Sequence, residues 1–414
     1  MHVVAKRHRV ALTGIGLITP LGIGTERTWR ALCAGDVAVA PLTRFDASAY
    51  PSRVAAQIDD FEPGAHLSRR RAQWMDRFSQ LAVASARLAA EDAGTSFEAL
   101  RDDAGVFVGS ALGGTTYAEE QMQSFAEHGL SGVRPLVTIS VFGGAAASNV
   151  AIEFGLTGPS TANSNSCASG AMAIGDAFRA IARGDIRAAF AGGVEAPLAP
   201  LTFAAFTVAR AMSRRNGDAR TASRPFDTGR DGFVMAEGAG FVTLERYEDA
   251  VARGATPYCE ILGYGSSNDA HHMSAPLPDG AQTAGAMLRA LRDAALDPDA
   301  IEAINAHGSS TKLGDAAEAL AYAKTFGPRA SSIPVSATKG QHGHALGATG
   351  AWEIGFAALG MRAGVFPGAV NLENLAADCE VDCSREAREL SPRYLISNSS
   401  GFGGINAALV LGAL

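Results

Sequence analysis

The chain of 414 residues carries 42 acidic against 35 basic side chains, a net charge of −7 with histidine neutral, and is 47% hydrophobic and 19% charged. That balance builds a soluble core over two or three domain-sized units, and it excludes collagen, coiled-coil, disordered and disulfide-scaffold classes. Five scattered cysteines leave at least one unpaired in any intramolecular scheme, which points to a reducing compartment. No basic run exceeds Arg69-Arg70-Arg71, so general nucleic-acid binding is not expected. The longest uncharged stretch, Phe154 to Gly175, contains Pro159, Asn163 and Asn165, whose desolvation would be costly, so no membrane span is expected. The basic start runs into Ala11-Leu-Thr-Gly-Ile-Gly16 without an apolar leader core, and a cytoplasmic location is expected.

Short apolar runs alternate with segments of helical period, the pattern of a layered α/β protein. Arg9 to Thr13 reads as the first strand and Gly14-Ile-Gly16 as a tight turn. The dinucleotide fingerprint that this cluster imitates fails at Thr19-Pro20, and no acidic residue closes the unit. Met75, Phe78, Ala82, Ala86 and Ala89 mark one helical face, and Ala104 to Gly109 a buried strand. Ala171, Ile174, Phe178 and Ile181 mark a second helix ending near Gly184, followed by a strand over Ile186–Ala191. The same order returns: strand 301–305, helix from Asp315, strand 333–336, then a helix through Ile354 and Leu359. No residue-level repeat of fixed period is evident, so two similar halves are inferred from element order alone. The polar stretch Tyr247–Pro257 separates residues 1–255, holding the candidate nucleophile, from 256–414.

Cys167 lies in Asn163-Ser-Asn-Ser-Cys-Ala-Ser-Gly170, directly before a helix. Unpaired N–H groups and the helix dipole there favour a thiolate and can hold an oxyanion. The bland alternative is a small buried hydrophobe. Cys33, Cys259, Cys379 and Cys383 have no such setting, and no metal site is expected of them. His307 in Asn305-Ala-His-Gly308 and His344 in Gly343-His-Ala-Leu-Gly347 each follow a strand, where α/β sites gather. His342 reads as a bystander, and adjacent His271 and His272 point oppositely on a strand. Asp315-x-x-Glu318 is read structurally as a capping box.

With Cys167, His307, Lys339 and His344 in that order, the sequence resembles the β-ketoacyl-acyl-carrier-protein synthases of fatty-acid synthase II and type II polyketide ketosynthases. The likeness also runs through Val10–Gly22, Ser223-Arg-Pro-Phe-Asp227, Arg230–Gly240 and Ser397–Gly404, nearly the whole chain. It implies the thiolase fold, an α/β body of two similar halves in five α-β-α-β-α layers, usually dimeric with itself or with a related chain-length subunit. It implies an acyltransferase: Cys167 takes an acyl group, malonyl-carrier loses CO₂, and the enolate condenses with the acyl-enzyme. His307 and His344 would hydrogen-bond the malonyl thioester carbonyl, while Lys339 and Glu318 would form a supporting charge network. The N–H groups of Cys167 and Phe402 would form the oxyanion hole, with Phe402 also a gate. Ser309 and Thr311 match positions along the phosphopantetheine arm, Leu112 one that limits chain length, and Arg69, Arg70 and Arg71 part of a carrier-docking segment. No bound cofactor is implied, since the arm arrives on the acyl carrier protein.

The chain departs from relatives at Asn163-Ser-Asn-Ser166, at Gly340-Gln-His342, and at Ser400, where an aromatic residue is common. Gln73 and Trp74 stand where relatives are basic, and Trp74 reads as a packed helix residue. These departures bear on the substrate rather than the reaction. Thiolases would need a second reactive cysteine near Asn398–Gly401, and synthase III enzymes an Asn at 344. The alternative from another class is a noncatalytic chain-length partner, which would lack the nucleophile.

Overall fold

The computed structural model describes residues 7–414, so the basic start up to residue 6 lies outside the described residues. Its main strands are β1 (Val10–Thr19), β2 (Ala104–Gly109), β3 (Ser160–Asn163), β4 (Ala188–Glu195), β5 (Gly238–Arg246), β6 (Cys259–Asn268), β7 (Ala303–Asn305), β8 (Pro334–Ser336), β9 (Tyr394–Gly401) and β10 (Ile405–Gly412). The helices that frame the site are α1 (Arg77–Ala93), α2 (Thr115–His128), α3 (Ala145–Phe154), α4 (Ser169–Arg183), α5 (Ala281–Ala294), α6 (Lys312–Phe326) and α7 (Thr349–Ala363).

The strands order as β3-β2-β4-β5-β1 in the first half and β8-β7-β9-β10-β6 in the second. Within each half the first strand pairs antiparallel with the fifth and the fifth antiparallel with the fourth. The fourth then pairs parallel with the second, and the second with the third. A short antiparallel join of Val10–Leu12 to Cys259–Ile261 links the halves. Helices α4 and α7 pack between the two sheets, α1 and α3 cover the outer face of the first, and α5 that of the second. The body is therefore the expected five α-β-α-β-α layers.

Gly14 and Gly16 correct the turn reading, because both lie inside β1. A Cβ on Gly14 would sit 2.3 Å from the Ala89 carbonyl oxygen of α1, and one on Gly16 2.0 Å from that of Ser85. Gly263 and Gly265 of β6 meet α5 in the same way, at 2.3 Å and 2.1 Å from the carbonyl oxygens of Ala290 and Ala286. Each half thus uses Gly-x-Gly on its first strand to admit an outer helix against the sheet. A second shared signature is Ala168-Ser-Gly-Ala-Met-Ala-Ile-Gly175 against Ala348-Thr-Gly-Ala-Trp-Glu-Ile-Gly355, which opens the two central helices. The helices touch at these glycines: a Cβ on Gly170 would lie 2.6 Å from the Gly347 carbonyl oxygen, and one on Gly350 3.0 Å from the Ala171 Cβ. Residue equivalence between the halves is real, but its spacing changes along the chain because the insertions differ.

Candidate active site

Leaving β3, the chain makes one tight turn, Ser166–Ala168, before entering α4. Ser166 takes φ +50°, the left-handed conformation that costs a non-glycine residue about 1 kcal/mol or more. Local bonds hold it there. Ser169 Oγ donates to the Ser166 carbonyl at 2.7 Å, and Asn163 Nδ2 to the Ser169 carbonyl at 3.2 Å. Cys167 is consequently raised at a strained corner, facing a cavity of about 400 Å³. From the other half, β9 ends beside it at Gly401, where a Cβ would lie 2.9 Å from the Cys167 nitrogen. The N–H groups of Phe402 and of Cys167 itself lie close enough to the sulfur to favour its charged form.

Burial pushes the Cys167 thiol up, to about 12, against the opposing pull of Lys339, with Glu195 adding to the rise. This corrects the thiolate expectation, since desolvation outweighs the donors at the helix entry. The resting group is a thiol whose proton must leave as the sulfur reacts.

His307 lies just beyond β7 and His344 between β8 and α7, and both line the cavity with Cys167. Their rings meet edge to face with centroids 5.3 Å apart. His344 Nδ1 is 3.1 Å from Thr349 Oγ1, which leaves its other ring nitrogen for a ligand. Desolvation, with Lys339 second and a neighbouring imidazole third, holds both histidines well below the usual imidazole range, so both are neutral. Two neutral N–H donors beside a sulfur are suited to a developing enolate or alkoxide oxygen.

Beneath the cavity, Glu318 accepts the N–H groups of His307 and Gly308 at 2.7 Å and 2.8 Å, the Tyr322 hydroxyl at 2.7 Å and Asn398 Nδ2 at 2.8 Å. It fixes the His307 loop rather than capping a helix, and the capping-box reading is corrected. Thr311 caps α6 through the Gly314 N–H, while Asp315 is fully buried and accepts the Phe226 N–H at 2.8 Å and Ser309 Oγ at 3.3 Å. Burial pushes Asp315 up to about 7. Lys339 has no exposed surface; its ammonium pairs with Glu353 and donates to the His307 carbonyl oxygen. Glu353 was missed in the sequence, although a carboxylate amid the apolar residues Trp352, Ile354 and Phe356 signals a buried partner for a cation.

Ser309, Thr311, Ser400 and Phe402 also line the cavity. Ser309 Oγ lies 2.9 Å from Thr311 Oγ1, and Ser400 Oγ donates to Asn406 Oδ1 at 2.8 Å. Phe402 is partly exposed at the mouth and stacks on Phe206 at 6.1 Å. Leu112 stands apart from the lining; with Cys167 it packs on an apolar cluster containing Phe203, Phe233 and Leu346. Arg69, Arg70 and Arg71 form a short surface helix away from the cavity, and Arg71 is engaged by Glu153. Trp74 is 61% exposed, which corrects its packed reading. His342 is buried edge-on against Trp352, held at about 3 by desolvation. Among the described residues no group of three or more His, Cys, Asp or Glu could hold a metal ion.

A nucleophilic thiol with two backbone donors, faced by two neutral imidazoles from the second of two matching half-sheets, defines a thiolase-fold condensing enzyme. Residues 7–250 match the family model for the beta-ketoacyl synthase N-terminal domain, and residues 258–373 that for its C-terminal domain. The chain belongs to the beta-ketoacyl synthase family. It is 41% identical over 408 residues to a 3-oxoacyl-[acyl-carrier-protein] synthase 2 of Coxiella burnetii, covering 98% of this chain and 99% of that one. A Staphylococcus aureus synthase of the same name is 39% identical over 409 residues, with the same coverage. Two solved structures superpose at TM-score 0.91. One is a type II polyketide acyl carrier protein in complex with its ketosynthase bound to the hexaketide, at 30% identity over 99% of this chain and 100% of that one. The other is the ishigamide ketosynthase/chain length factor, at 33% with the same coverage.

Proposed function

We propose that the chain performs decarboxylative Claisen condensation on carrier-bound acyl chains, with Cys167 as the acyl acceptor. The Cys167 sulfur attacks the acyl-carrier thioester, the oxyanion takes the N–H groups of Cys167 and Phe402, and the proton leaves on the departing carrier thiol. Malonyl-carrier then enters the same cavity, its thioester carbonyl accepting from His307 and His344. Loss of CO₂ leaves an enolate whose carbon attacks the acyl-enzyme, giving a β-ketoacyl-carrier and free Cys167. Each imidazole donor is worth roughly 3 kcal/mol at the developing oxygen. The charge network of Lys339, Glu353 and Glu318 acts by holding the His307 loop.

The substrate arm is read as phosphopantetheine on an acyl carrier protein, passing Ser309 and Thr311, with no resident cofactor. Arg69 and Arg70, which make no ion pair among the described residues, and Arg210 and Lys312 at the cavity mouth supply cations for an acidic carrier. The small Ser400 beside the Phe402 gate favours bulky or unsaturated chains. The five free cysteines support work in a reducing, cytoplasmic compartment.

The observation that carries this reading is Cys167 and both histidines on one cavity. It also weighs against a noncatalytic chain-length partner, which would have no use for the nucleophile. The test is intact-mass measurement after incubation with saturated and polyunsaturated acyl-carrier thioesters. Wild type should gain the acyl mass and Cys167→Ala should not; an adduct on both, or on neither, overturns it. His307→Ala and His344→Ala should each lower malonyl decarboxylation about 100-fold or more, and a variant that keeps wild-type turnover removes that histidine from the mechanism.

A further inference from the structure

The matching registers place one carboxylate in an unexpected position. Gly16 of β1 lies opposite Phe241, which lies opposite Gly192 of β4; in the second half Gly265 lies opposite Ala408, which lies opposite Asn398 of β9. Three residues further along, Glu195 is therefore the counterpart of Gly401, and the shared helix-entry signature makes Gly347 the counterpart of Cys167. In the catalytic half, Gly401 leaves the space beside the Cys167 N–H open. In the other half Glu195 fills it, accepting the Gly347 N–H at 3.0 Å.

The same carboxylate reaches the segment after β2. Its Oε1 accepts Ser110 Oγ at 2.9 Å and the Leu112 N–H at 3.0 Å, while Oε2 accepts the Ala111 N–H at 2.8 Å. Glu195 is fully buried and makes no ion pair among the described residues, so its four donors there balance its desolvation. Burial still pushes it up, to about 7. The segment that it holds carries Leu112, which packs with Cys167 on the apolar cluster of Phe203, Phe233 and Leu346. Phe233 and Leu346 of this cluster also line the Cys167 cavity, so its apolar side faces a chain attached to the sulfur.

We propose that Glu195 is a positioning residue for acyl-chain selection: by occupying the second half's copy of the anion-holding turn, its carboxylate fixes the Ser110–Leu112 segment and so sets how far Leu112 yields to the chain on Cys167. The proposal rests on Cys167 being the acyl acceptor. Glu195→Gln keeps the volume, but its NH₂ must face a backbone N–H in either orientation, that of Leu112 on one side or those of Ala111 and Gly347 on the other, which loosens the segment. Ser110→Ala removes one of the four bonds and leaves the carboxylate in place.

The experiment measures kcat and KM for acyl transfer to Cys167 in the full chain, by intact mass, over saturated acyl-carrier donors of increasing length. Glu195→Gln should raise the kcat/KM ratio of the longest to the shortest accepted donor at least tenfold, chiefly through KM. Ser110→Ala should move it the same way by less. A merely structural role would lower all donors in parallel, and that result, or an unshifted ratio, overturns the proposal. Should Glu195→Gln fail to fold, Ser110→Ala decides alone, an unchanged ratio overturning it. Absence of any adduct on wild type overturns the condensing reading as well, so the two failures are distinguishable.

Discussion

At the scale of the residue, the chemistry turns on how little solvent reaches three groups. Burial raises the Cys167 thiol to about 12, so its thiolate fraction grows with pH through the whole neutral range. Alkylation of wild type by iodoacetamide, followed as loss of condensation, should accelerate about tenfold per pH unit between 6 and 9. A plateau reached near pH 7 would show instead that the donors at the helix entry outweigh desolvation. The histidines shift the other way. Because His307 and His344 are held well below 6.5, they stay neutral as pH falls through that value, and protonation takes their function only at the lowered value. The malonyl decarboxylation profile should therefore show no inflection near pH 6.5; an acid limb centred there would mean that the imidazoles titrate as if exposed.

At the scale of the element, the glycines of the first strands decide whether the outer helices can seat. Gly14→Ala would drive a Cβ to 2.3 Å from backbone that cannot rotate away. We expect a loss of about 3 kcal/mol, seen as a lower thermal midpoint than wild type, whereas Gly64→Ala, with nothing within 4 Å of the new Cβ, should leave it unchanged. Equal midpoints for the two variants would refute the packing account. These same glycines mark where sequence reading stopped. Periodicity located α1, β2 and α4 closely, because amphipathic and fully buried segments carry a local signal. It could not distinguish Gly14-x-Gly16 as a turn from a strand under a helix, since the deciding atom lies on Ala89, far along the chain. Asp315 and Glu318 matched a capping pattern locally, yet their partners come from Phe226 and from the His307 loop. Cys167, His307 and His344 were legible because each follows a strand and opens a turn; Glu353 and Glu195 were not, because a buried carboxylate is defined by the donors that surround it.

At the scale of the whole molecule, one side remains unfinished. Among the described residues strand β3 pairs with β2 along one edge only, and Ser160, Thr161 and Ala162 are exposed. Around it, α2, α3 and the segment between them expose Phe125, Ile139 and Phe142, together with Met122 (69%), Leu130 (85%) and Ile152 (63%). A free edge flanked by apolar side chains is a template for pairing, and isolated proteins ordinarily blunt such an edge with charge. Here Ser160 to Asn163 carries none. Two copies related by a two-fold axis that paired β3 with β3 would join the first half-sheets into one and cover the apolar band, one geometry for a dimer, a state that the family resemblance implies without specifying its interface. Sedimentation velocity should find wild type at twice the chain mass at micromolar concentration. Thr161→Lys, which brings two like charges together at that axis, should shift it to the mass of one chain. A wild type that sediments as a single chain, or a Thr161→Lys variant that remains dimeric, would place the apolar band outside any self-association and leave it as a surface for a different subunit.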